Sequence, residues 1–190
     1  MRLKFAAEQF KDRYFGNRNK RWSFVSQLLD DPRRGAELGV KGGRFSANIL
    51  QAHENLHLFA VDLWGLPCDI QSIPPGPEVV YDENLAFMKE FESRIEPYAS
   101  RVTPMQMPTT FAAPLIEDES LDFIFIDANH TYDGVAVDID DWVPKVRPGG
   151  WITGHDYSNK FPGVVQAVLE RFEPEQIELG PDTVWAVKKF

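Results

Sequence analysis

Apolar residues along the chain fall into two rhythms. Short apolar runs bounded by polar or glycine residues predict strands over 36–40, 56–61, 101–107, 121–126, 151–153, 176–179 and 183–188. Helical spacing fills the gaps between them. Trp22, Phe24, Val25, Leu28 and Leu29 form one stripe, stopped by Asp31-Pro32. Phe45 to Ala52 forms a second, and Tyr81 to Tyr98 a third through Leu85, Met88, Phe91 and Ile95. A short helix or turn covers 108–116. Val135, Ile139 and Trp142 share a face of another helix, and Phe161 to Phe172 predicts the last. Strands alternating with helices predict an α/β fold, a doubly wound sheet with helices on both faces. The two final strands, joined by Gly180-Pro181-Asp182, close it with a hairpin and make the sheet mixed.

Two of these strands carry the chemistry. The run Leu121 to Ile126 ends on Asp127, and the run after Pro148-Gly149-Gly150 ends on Gly154-His155-Asp156-Tyr157. Adjacent strand ends put these polar residues at the carboxyl edge of the sheet, where open α/β folds bind ligands. The stretch Gly35 to Ser46 reads as strand, glycine turn and helix, with Gly39, Gly42 and Gly43 in the turn. Such a turn lets backbone amides approach a ligand at a helix N-terminus. Its spacing is not the Gly-x-Gly-x-x-Gly of dinucleotide binders. Asp62 ends the next strand, about 20 residues beyond that turn, where a ribose-binding acid is expected.

Composition narrows the picture. At 190 residues, a single domain is expected, with residues 1–34 as a helical N-terminal segment and 35–190 as the domain proper. That first helix packs on the domain edge or helps close a substrate site. The net charge of -9 argues against a nucleic-acid or membrane-surface binder. Arg13, Arg18, Lys20 and Arg21 form a local basic patch, read as a solvated face. Asp138, Asp140 and Asp141 are read the same way, as a solvated helix face rather than a metal site. Cys68 is the single cysteine, read as an inert thiol, which fits a reducing cytosol. No signal-peptide core and no run of about 18 apolar residues is present, so a cytoplasmic location is expected. The stretch 64–78, with Pro67, Pro74, Pro75 and Pro77, reads as a binding loop or lid.

The motifs Glu37-Leu38-Gly39-Val40-Lys41-Gly42-Gly43, Asp62, Ile126-Asp127 and Pro148-Gly149-Gly150 resemble the ordered motifs of class I S-adenosylmethionine-dependent methyltransferases. The segment from Ile126 to Tyr157 resembles more narrowly a bacterial group of small O-methyltransferases. That group is related to magnesium-dependent enzymes that methylate sugar hydroxyls of macrolide and aminocoumarin antibiotics. The resemblance covers residues 35–190. It implies a Rossmann-like seven-stranded mixed sheet in the order 3-2-1-4-5-7-6, with strand 7 antiparallel. It implies S-adenosylmethionine as cofactor, with Glu37, Gly39 and Gly43 flanking its methionine moiety, Asp62 on its ribose, and Met107 and Thr109 beside its adenine.

The implied reaction is O-methylation of a small molecule, such as a sugar. A hard divalent cation, Mg2+ or a similar ion, can lower the pKa of the acceptor hydroxyl and orient it. Asp127 and Asp156 suit such a cation, with His155, where related enzymes carry an acid, as a third candidate ligand. His130 fits a general base, since imidazole titrates near neutrality, or a further metal ligand. Asn129 and Tyr157 are candidates for orienting substrate. The expected partner is a small-molecule acceptor, with no nucleic acid and no membrane, and a homo-oligomer stays open. Two alternatives stand beside this reading: a non-catalytic nucleotide-binding module of the same fold, and a nicotinamide-dependent oxidoreductase.

Overall fold

The computed structural model describes residues 20–65 and 79–190. Seven strands form one sheet: β1 (Arg34–Leu38), β2 (His57–Asp62), β3 (Val102–Gln106), β4 (Leu121–Ile126), β5 (Val146–Gly154), β6 (Glu178–Leu179) and β7 (Trp185–Lys188). Their order is β3-β2-β1-β4-β5-β7-β6. Strands β1 to β5 pair in parallel, and β7 runs antiparallel to both β5 and β6. The helices are α1 (Arg21–Leu28), α2 (Arg44–Ala52), α3 (Val79–Ile95), α4 (Thr109–Ala112), α5 (Tyr132–Trp142) and α6 (Pro162–Leu169). Among the described residues, no helix is long and apolar enough to cross a membrane.

Strand β4 shows why the sequence folds this way. Its side chains alternate across the sheet, so the apolar residues at every position but Asp122 bury both faces. Ile124 and Ile126 enter one core with Val135, Ile139 and Trp142 of α5 and Val164 and Val168 of α6. Phe123 and Phe125 enter the other with Phe24 and Val25 of α1, Phe45 and Ile49 of α2, and Phe91 of α3. Phe45 and Phe125 stack with ring centroids 4.0 Å apart. The sheet is thus sandwiched by helices, and the carboxyl ends of its parallel strands carry the polar side chains Asp62, Asp127, His155 and Asp156.

Several boundaries differ from the sequence pattern, each for a local reason. Strand β1 stops at Leu38 rather than residue 40 because Gly39 adopts φ 86°. The Pro148-Gly149-Gly150 segment lies inside β5 rather than before it. The register against β4 shifts between Leu121 and Phe123, so the extra residues form a bulge, with Gly149 at φ 79°. Helix α6 begins at Pro162, the favoured first-turn site for proline, and ends three residues short of Phe172. The Cys68 thiol and positions 66–78 of the proline-rich stretch lie outside the described residues, as do Arg13 and Arg18.

Candidate active site

Backbone bonds across the sheet line up the strand ends. The N–H of Gly39 donates to the carbonyl of Val61 (2.9 Å), that of Asp127 to Leu38 (2.7 Å), and that of His155 to Ile126 (3.0 Å). Gly39, Asp62, Asp127 and His155 therefore open onto one edge. A cavity of about 1170 Å³ runs along it. Its wall includes Glu37, Gly39, Gly42, Asp62, Met107, Thr109, Asp127, Asn129, His130, His155 and Asp156. Gly43 and Tyr157 are not in that wall. Gly43 caps α2 in the left-handed region, and the Tyr157 ring packs against the core beside α6.

Asp62 braces the glycine turn. Its Oδ2 accepts the N–H groups of Val40 and Lys41, both at 2.8 Å, and its Oδ1 accepts that of Trp64 at 2.9 Å. The turn is thereby fixed with its backbone against the cavity. Glu37 lies beneath it, 2% exposed, accepting a hydrogen bond from the Ser46 hydroxyl. Burial raises its pKa well above the usual carboxylate range; the Ser46 bond opposes this, and the charges of Asp127 and Asp62 add to it.

At the other end of the cavity the carboxyl ends of β4 and β5 carry a cluster. His130 Nε2 lies 2.7 Å from Asp156 Oδ2 and 3.5 Å from Asp127 Oδ1. His155 Nδ1 lies 3.3 Å from Asp127 Oδ1 and 3.2 Å from Asp156 Oδ1. These approaches are close but not aligned. His130 Nε2 and both ring nitrogens of His155 are buried without a hydrogen-bond partner. They are charge contacts, not directed bonds. The adjacent Asp127 carboxylate raises the His130 pKa; burial opposes the rise, and Asp156 adds to it. Burial pulls His155 down, yet Asp127 and Asp156 leave it raised. Burial pushes Asp127 up, but His130, His155 and Arg21 together hold it below the usual range. Asp156 sits at φ 59°, a strained left-handed conformation for a non-glycine residue.

Three side chains here were not singled out for the site by the sequence. Arg21, expected in a solvated patch, instead donates from Nη1 to Asp127 Oδ2 at 2.6 Å. Its Nε lies 3.5 Å from Asp182 Oδ2, and that carboxylate is 3.7 Å from His155 Nε2. Helix α1 thus closes one side of the cavity, through Arg21 and Trp22. Nothing local marks Arg21, since its partner is 106 residues away.

The third is Asp138, expected on a solvated helix face. It is 3% exposed and lines the cavity. The signal was present: Val135, Asp138, Ile139 and Trp142 follow the helical period, so Asp138 falls on the apolar face. Asp140 does face solvent, paired with Arg171 at 2.7 Å. Burial pushes Asp138 from 3.8 up to about 7, against a hydrogen bond with Thr109. Between those values the folded protein holds a proton that the unfolded chain has lost. This group therefore makes stability fall as pH rises from about 4 to 7, by about 4 kcal/mol in all. Asp138→Asn keeps the shape and removes the titration. Urea unfolding is expected to show the variant gaining on the parent protein between pH 5 and pH 8; an equal gap at both pH values would contradict the assignment.

A glycine turn, an acid ending β2 and a polar cluster at the ends of β4 and β5, on a sheet of this order, together define the class I S-adenosylmethionine-dependent methyltransferase fold. Residues 36–157 match the family described as a methyltransferase domain, and the chain belongs to that family. Over 129 residues the chain is 30% identical to the uncharacterized protein y4gI of Sinorhizobium fredii (strain NBRC 101917 / NGR234); the match covers 66% of this chain and 13% of that protein. The fold is similar to that of the O-methyltransferase TomG from Streptomyces achromogenes, involved in tomaymycin synthesis and solved in complex with SAM. Identity there is 14%, the TM-score 0.59, and coverage 91% of this chain and 79% of that one. It is also similar to a SAM-dependent O-methyltransferase from Thermotoga maritima, with 16% identity, a TM-score of 0.60, and coverage of 90% of this chain and 64% of that one. The family sets aside the nicotinamide alternative.

Proposed function

We propose that the protein transfers a methyl group from S-adenosylmethionine to a hydroxyl of a small molecule, with help from a divalent cation. The observation that carries this reading is the Asp127, His130 and Asp156 cluster opening into the same cavity as the glycine turn and Asp62. The residues fit the cofactor. Asp62 spends its oxygens on backbone N–H groups yet keeps lone pairs for ribose hydroxyls. Glu37, buried with only the Ser46 hydroxyl bonded to it among the described residues, offers the methionine ammonium a counter-ion. Met107 and Thr109 border the end of the cavity beyond Asp62, a place for the adenine. The bound cofactor supplies an electrophilic methyl on a sulfonium, attacked in line.

The residues also fit a cation, though not an all-oxygen one. Among the described residues, one donor atom each from Asp127, His130 and Asp156 lies within 4.8 Å of the others. Ligands around one small dication sit about 3 Å apart when adjacent and about 4 Å when opposite. The buried ring nitrogen of His130, lacking an aligned partner, is the group such an ion would satisfy. An imidazole in the set favours Fe2+ or Zn2+ over Mg2+. The ion would polarise the acceptor oxygen. Asp127 and Asp156 hold the charge of the site, and Arg21 fixes the outer oxygen of Asp127. His155 supports both carboxylates, and Asn129 borders the acceptor side. If His130 is not on the metal, it is placed to take the acceptor proton.

Calorimetry with S-adenosylhomocysteine, then a screen of hydroxylated acceptors, tests the reading. Binding of the cofactor product and an O-methylated product are expected. Zn2+ is expected to bind at least about tenfold more tightly than Mg2+ at pH 7, with proton release as His130 becomes neutral. Tighter Mg2+ binding would remove His130 from the metal. Full turnover after exhaustive chelation would leave it as a base acting alone.

A further inference from the structure

The function proposed above leaves Asp138 unused, and a buried carboxyl without a cation is costly in a helix face that otherwise packs apolar side chains. Its surroundings place it. The end of β2 adjoins the end of β3, where the Met107 N–H donates to the Asp62 carbonyl at 3.2 Å. The chain then passes Pro108 and Thr109, and the facing wall of the cavity is α5, through Gly134, Val137 and Asp138. Trp142 Nε1 donates to the Thr109 carbonyl at 3.2 Å and ties the two walls together. A flat base attached to a ribose at Asp62 has this slot before it.

We propose that Asp138, with Thr109 beside it, reads the amino edge of the cofactor's adenine and so determines which base the cavity accepts. The proposal rests on the reading that Asp62 holds the ribose of S-adenosylmethionine. Adenine presents an N6 amine that donates and an N1 that accepts, side by side. A protonated carboxyl presents one acceptor and one donor with the same spacing. Burial keeps Asp138 protonated well above the usual carboxylate range, with Asp141 adding to the effect and the Thr109 bond opposing it. The pair would satisfy both groups at once, beside a carboxyl only 3% exposed, where unmatched polar groups are penalised most.

The test is calorimetry of S-adenosylhomocysteine against its analogue with a purine lacking the 6-amino group. The protein as it stands is expected to prefer the adenine ligand by about tenfold, the effect of one buried hydrogen bond and its stranded partner. Asp138→Asn presents the same acceptor and donor and is expected to keep that preference. Asp138→Leu is expected to bind both ligands alike, through weaker binding of the adenine form. A leucine variant that keeps the full preference would show that Asp138 only supports the slot, and would overturn the proposal. So would equal binding of both ligands by the unaltered protein, an outcome independent of how any variant folds. Binding of neither ligand would overturn the cofactor reading itself, and the assignment of Asp138 with it.

Discussion

Asp127→Asn is expected to reduce methyl transfer by about 10²- to 10⁴-fold, the range spanned by positioned acid–base groups, while S-adenosylhomocysteine still binds. The asymmetry comes from where Asp127 sits. Its Oδ1 faces His130 and His155, and its Oδ2 accepts from Arg21. Among the described residues it is the carboxylate that Arg21, His130 and His155 all approach, 18% exposed at its side chain. An amide in its place keeps the volume and one acceptor but loses the charge that raises His130. The cofactor end of the cavity, with Asp62 and the glycine turn, is built from other strands and stays intact. Turnover on an acceptor found by screening, beside calorimetry of the cofactor product, separates the two effects. Unchanged turnover would remove Asp127 from the chemistry. Loss of cofactor binding in equal measure would make its role structural.

Gly39→Ala is expected to lower stability by about 3 kcal/mol. Gly39 holds φ 86°, which charges an L-residue about 1–2 kcal/mol. A Cβ there would also fall on the Asp127 carbonyl oxygen and lie 2.6 Å from the Ala128 Cα. Both obstacles are backbone, so no rotamer relieves them, and overpacking of this kind adds about 1–3 kcal/mol. For a chain of this size the thermal midpoint should fall by roughly 10 °C. Gly149→Ala is the control. Its φ is 79°, but its nearest neighbour would be the Arg147 guanidinium at 3.8 Å, so strain acts there without a clash. Equal midpoints for the two variants would deny the steric argument. Because the obstruction is the peptide that carries Asp127, a folded Gly39→Ala protein should also be impaired in turnover.

What the sequence made legible was what neighbouring residues decide together. An apolar run buried on both faces, as in β4, needs no knowledge of its partners to be recognised. Asp62, Asp127 and Asp156 were visible because each ends such a run. The glycine turn was visible because three glycines fall within five residues. The hidden part is set by distant pairings. Arg21 looks like any surface arginine until α1 is laid against the sheet. Asp182 sits in the loop between β6 and β7, with Asp182 and Thr183 at φ 56° and 59°, and only that turn aims it at Arg21 and His155. Asp138 lies between these cases: its helical period placed it inward, while its charge argued for solvent, and the period prevailed.

The Arg21–Asp127 pair has a bearing on where the working unit begins. The family match starts at residue 36, at the first strand. The guanidinium that balances the central carboxylate comes from before that strand, as does Trp22 in the cavity wall. The electrostatics of the candidate site are therefore not contained in the recognisable domain. Related chains with the same strands and glycine turn but a different preceding helix would carry a differently charged site. In such chains, acceptor preference could change with no substitution in any shared motif.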